Sequence, residues 1–116
     1  MSQYHEPYEI LSEETKNITR AIQSLKEELE AVDWYNQRVQ TTSDAELKEI
    51  MAHNRDEEIE HACMTIEWLR RNMDKWDDEL KTYLFAETSI LEAEEAAEGG
   101  EAGEGASSGM NVGDLK

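Results

Sequence analysis

Glu58-Ile59-Glu60-His61 sets a carboxylate and an imidazole three residues apart. On a helix, residues i and i+3 are neighbours with Cβ atoms ~5–6 Å apart, so the two groups can hold one metal ion together. The same spacing arises by chance in acidic helices, where it marks only a solvated face. Glu58 and His61 continue a row through Leu47, Met51, Asn54, Thr65 and Trp68 that is otherwise apolar or uncharged. Charged groups on a buried face are costly unless paired or metal-bound, which weighs toward a ligand role. Carboxylates with imidazole suit Fe, Mn or Zn, and a thiolate-free, oxygen-rich set argues against a structural zinc centre.

The elements that must position this pair are helices. Leu11, Ile18, Leu25, Val32 and Val39 repeat every seven residues, with Ile22 and Leu29 interleaved, and mark one apolar stripe. Pro7 fits the opening turn of that segment. The pattern stops at Thr41-Thr42-Ser43-Asp44, and Ser43 followed by Glu46 has the spacing of a capping box, which starts a second helix. The second helix is expected to reach about Asn72, with Leu47, Ile50, Met51, Ile59, Ala62, Ile66, Trp68 and Leu69 as its apolar positions. Trp76, Leu80, Tyr83, Leu84 and Phe85 are spaced for a shorter third helix. A tight turn near residue 43 folds the first two helices into an antiparallel hairpin. Residues at equal height then have numbers summing to about 86, which sets Glu28 opposite Glu58. Glu28 is flanked by Leu25 and Val32, so one hairpin is expected to offer Glu28, Glu58 and His61 at one level.

Length and charge bound what surrounds the hairpin. One hundred and sixteen residues with 28 acids, 11 bases and a net charge of −17 make at most one small acidic domain. That charge disfavours nucleic acid and anionic membrane surfaces and suits cations. No apolar run approaches a membrane span, no basic-then-apolar leader opens the chain, and the single Cys63 fits a reducing compartment, so cytoplasmic synthesis is expected. All six glycines lie in the last 18 residues, and residues 86–116 carry eight acids and one base. Residues 1–91 read as the helical domain, and 92–108 as a disordered Glu/Gly/Ser linker.

A two-helix hairpin buries little alone, and self-association is a common remedy. Di-iron carboxylate bundles use one Glu from each of two helices and Glu-x-x-His from each of the other two. This chain has half of that set and half of the helices. Two copies about a two-fold axis supply both missing halves, so the expected fold is an all-α hairpin dimerising into a four-helix bundle.

Glu27 to Tyr35, His53 to His61 and Glu67 to Asn72 closely resemble the encapsulated ferritins, and the resemblance covers roughly residues 5–85. It implies a ferritin-like di-iron centre, with two iron ions per dimer, in an open ring of five dimers. It also implies ferroxidase activity inside an encapsulin nanocompartment whose shell stores the mineral. Carried over by motif, Glu28, Glu58 and His61 would be the ferroxidase ligands, Glu27 and Glu30 a metal entrance, and Trp34 with Tyr35 the lining of the centre. On residues alone, Glu27 and Glu30 read as a solvated face, which the resemblance reverses, and Trp34 is equally an interface anchor. Tyr35 shares the stripe of Glu28, where it could hydrogen-bond a ligand and take part in catalysis. His53 reads as structural, Cys63 as a small buried hydrophobe, and Met51, Met64 and Met73 as core filler.

After the linker, Gly109 to Lys116 returns apolar Met110, Val112 and Leu115 and resembles encapsulin cargo-loading peptides, with Asp114 where those carry a small residue. The expected partners are therefore the shell protein and further copies of the chain. A non-enzymatic acidic oligomer binding divalent metal is the alternative from another class.

Overall fold

The structure, a computed structural model, describes residues 3–104, and those residues hold helices and no strand. A short 3₁₀ turn at Tyr8–Ile10 follows Pro7 and precedes four α-helices: α1 (Glu13–Thr41), α2 (Ala45–Asn72), α3 (Asp74–Tyr83) and α4 (Ile90–Glu104). The chain divides into two compact units, Met1–Asn72 and Met73–Lys116.

In the first unit, α1 opens on Ser12, whose side chain accepts the Thr15 amide at 3.0 Å. Ahead of it, Tyr8 stacks edge-on to Tyr4 and carries the Lys16 ammonium 3.9 Å from its ring centroid, which ties the N-terminal segment to α1. No proline or glycine interrupts the 29 residues of α1. The cap of α2 is Asp44, whose carboxylate accepts the Leu47 amide at 2.9 Å. The expected box on Ser43 is therefore displaced by one residue, because an anionic cap also meets the positive end of the helix dipole.

The seven-residue stripe is the seam of the hairpin: Leu11, Ile18, Leu25, Val32 and Val39 are all half-buried. The interleaved Ile22 and Leu29 are 40% and 52% exposed, at the edge of that seam. On α2 only Ala62 and Leu69 are buried, while Leu47, Ile50, Ile59, Met64 and Trp68 stand exposed. Met64 is therefore not core filler in the single chain, and Cys63, expected inside, is exposed. Neither is covered within the single hairpin.

In the second unit, α3 packs against α4. Leu84 and Phe85, expected to extend α3, lie beyond its end, and Phe85 takes the left-handed backbone at φ 62° with 90% of its surface exposed. That conformation ordinarily falls to glycine after a helix, and this segment has none. Burial between the two helices pushes the Tyr83 phenol up, and Glu94, Glu79 and Glu98 add to the shift. The helix at Ile90–Glu104 corrects the expectation of a coil from residue 92. Ser89 caps it by accepting the Glu92 amide at 3.2 Å, and Ala93, Ala96 and Ala97 are strong helix formers, so local propensity outweighs the scarcity of apolar residues. The expected domain boundary after residue 91 falls inside α4. Residues 105–108 of the expected linker and the expected cargo-loading peptide at 109–116 lie outside the described residues. No helix among the described residues is long and apolar enough to cross a membrane.

Candidate metal centre

Glu58 and His61 stand together at the middle of α2, with the His61 Nδ1 atom 3.5 Å from Glu58 Oε1. The helix dictates this, since three residues bring the side chains to the same face. The Glu58 side chain is 28% exposed and that of His61 46%, so the pair lies at the rim of the hairpin and opens outward. Three other acids of α2 are matched locally: Asp56 by Arg55, Glu57 by His53 at 3.1 Å, and Glu67 by both Arg70 and Arg71. The Arg70 guanidinium, with that of Arg71, holds the Glu67 carboxyl down at about 2. Among the described ion pairs of Glu58, the partner is the imidazole alone.

Glu28 is half-buried on α1, but its carboxylate does not meet that pair within one chain. It accepts a hydrogen bond from the Thr65 hydroxyl, 3.0 Å to Oε1 and 3.4 Å to Oε2. Thr65 lies four residues beyond His61 and seven beyond Glu58, about 6 and 10 Å along the helix. A second bond across the hairpin runs from Arg55 to Asn36 at 3.0 Å. The residue numbers of these two contacts sum to 93 and 91, against the expected 86. Helical side chains lean toward the N-terminus of their own helix. In an antiparallel pair those of α1 lean away from the turn and those of α2 toward it, and both tilts raise the sum. Backbone heights alone do not carry this offset. Among the described residues no three His, Cys, Asp or Glu side chains gather to hold one ion, so the expected single level of three ligands is not formed inside one chain.

The remaining expected residues line α1. Glu27 and Glu30 are both exposed, three residues apart on one face. Trp34 is 50% exposed and forms an open groove with Gln37, Arg38 and Thr41. Tyr35 is half-buried and carries the Arg38 guanidinium 5.3 Å from its ring centroid. It sits seven residues, about 10 Å, along α1 from Glu28. Thr65 is the residue that reading ligands alone left out. Its place in the Glu58–His61 row, one turn past His61, was the available signal.

A profile of the EncFtn-like family matches residues 3–87. The encapsulated ferritin-like protein of Rhodospirillum rubrum is 56% identical over 121 residues, spanning 97% of this chain and 86% of that one. A ferritin-like protein of Thermotoga maritima is 53% identical over 108 residues, spanning 93% and 95%. A crystal structure of a Nitrosomonas europaea protein superposes with a TM-score of 0.74 at 58% identity, covering 77% of this chain and 98% of that one. The match reaches from the first turn past the end of α3 and takes in every ligand candidate on α1 and α2: the chain belongs to the EncFtn-like family.

Proposed function

We propose that the protein is a ferroxidase that oxidises Fe(II) to Fe(III) with O₂ at a di-iron centre shared between two copies. Glu28, Glu58 and His61 of each copy are the ligands in this reading. The observation that carries it is the outward-opening Glu58–His61 pair at the rim of a hairpin whose exposed apolar residues await cover. One chain holds too few ligands in one place, and a second copy docked on the same face brings the other half of the set. Oxygen and imidazole donors suit iron in either oxidation state. Two irons held together can deliver two electrons to one O₂, which a lone iron cannot.

Fe(II) is the substrate here, and the protein's task is to bind, pair and release it. The exposed Glu27 and Glu30 would collect Fe(II) on the way in. Trp34 and Tyr35 would shape the approach, and Tyr35 would bond a ligand once a second chain is seated. Because a relative of high identity is named as encapsulated, the assembly, a ring of five dimers, would sit inside an encapsulin shell in the cytoplasm. Residues 109–116 would dock it there.

Anaerobic loading with Fe(II) followed by O₂ tests the activity. Ferric absorbance that rises with turnover at two irons per dimer is expected. Stoichiometric Fe(II) binding with no acceleration over the protein-free solution would reject the ferroxidase and leave a metal-binding oligomer.

A further inference from the structure

The Thr65 hydroxyl has one proton and two acceptors within reach: Glu28 Oε1 at 3.0 Å on the facing helix, and the His61 carbonyl at 3.1 Å one turn back. We propose that Thr65 is a positioning residue, a latch that holds Glu28 away from the Glu58–His61 pair until metal arrives. The inference rests on the ligand role proposed above for Glu28, Glu58 and His61.

The geometry accounts for both states of the latch. In the single chain both carboxylate oxygens of Glu28 lie within reach of the hydroxyl of Thr65, a residue one turn of α2 past His61. Two copies meeting on this face would otherwise press four carboxylates together with no cation between them. Holding each Glu28 one turn aside spreads that charge. When Fe(II) draws Glu28 away, the hydroxyl proton rotates to the His61 carbonyl already in place, so Thr65 is left with a partner while the Glu28 carboxylate gives up its bond. The same rotation puts a hydrogen bond on the backbone of a proposed ligand. Thr65 thus opposes metal binding by about the worth of one hydrogen bond, roughly fivefold in affinity.

The test uses the full chain and Co²⁺, whose absorption bands report its coordination and which O₂ does not consume. Calorimetric titration of the Thr65→Val variant is expected to show Co²⁺ binding about fivefold tighter than wild type at unchanged stoichiometry. Thr65→Ser, which keeps the hydroxyl, is expected to bind as wild type does. Equal or weaker binding by Thr65→Val, or a Thr65→Ser protein that behaves like it, would overturn the latch. Glu58→Ala separates the latch from the metal site it rests on. Co²⁺ binding that survives in that variant overturns the site itself and the latch with it, whereas binding that is lost there while Thr65→Val matches wild type overturns the latch alone.

Discussion

His61 would supply the nitrogen of the proposed centre, and its neighbour Glu58 a carboxylate oxygen. Removing groups that merely orient ligands already costs 10–100-fold in metalloproteins. Glu58→Ala and His61→Ala are therefore expected to slow iron oxidation by more than about 100-fold, with the helical circular-dichroism signal unchanged. A His61→Ala protein oxidising Fe(II) at the wild-type rate would end the Glu-x-x-His reading. Glu27 and Glu30 stand apart on the exposed face of α1. Their alanine variants are expected to lower the rate at limiting Fe(II) while leaving the stoichiometry of bound iron intact. Among carboxylates, Glu67 makes the contrast: fixed by Arg70 and Arg71, it titrates at about 2. Its ordinary value is 4.5, so the clamp contributes stability above pH 4.5 and loses it as the pH falls toward 2. A carbon-13 titration of the Glu67 carboxyl should find that midpoint, and Arg70→Ala should move it up.

At the scale of elements, the caps decide where α2 begins. Asp44→Ala is expected to cost about 1 kcal/mol in a urea melt, and Ser43→Ala close to nothing; the reverse order would restore the cap to Ser43. The lengths of α1 and α2 were legible because the seven-residue stripe runs unbroken by glycine or proline and stops at the turn. The choice between two adjacent capping residues was not, since both side chains can accept an amide. Glu58 with His61 was legible because one helix fixes their spacing by itself. Glu28 was legible as a residue of the seam, but its partner was not. Its bond to Thr65 crosses between helices, and side-chain tilt shifts such contacts by several residues. The helix at Ile90–Glu104 was hidden for a different reason. A segment rich in Glu and Ala satisfies the composition of a solvated tail and the propensity of a helix at once, and the Ser89 cap tips it.

At the scale of the whole molecule, the exposed Ile22 and Leu29 of α1 set the expectation of partnership. Full burial of an exposed apolar side chain supplies about 1.5–3 kcal/mol, and these two, already about half covered, each forgo roughly half of that. Light scattering should find a multiple of the 13.3 kDa chain mass, and Ile22→Lys should shift it toward the monomer. Metal should strengthen assembly. Converging carboxylates repel by about 4 kcal/mol per pair at 4 Å and an effective dielectric near 20, and Fe(II) replaces that repulsion with attraction. A chain that is active yet stays monomeric with Fe(II) present would reject the shared site. Deleting residues 109–116 should leave turnover unchanged and abolish co-purification with a co-expressed encapsulin; equal loading would reject the docking role.

Only Ala62, Leu69 and Ala93 are buried among the described residues. A chain so thinly packed has a stability inseparable from its own abundance, because folding and association draw on the same apolar surface. Newly made copies at low expression would linger unassembled, with Phe85, Trp34 and Trp68 open to proteases and chaperones. Lifetime in the cell would then rise steeply once synthesis passes the threshold for pairing. A pulse-chase series at graded expression should show short half-lives at low dose and long ones at high dose. A half-life that does not depend on dose would mean that the lone hairpin already survives quality control.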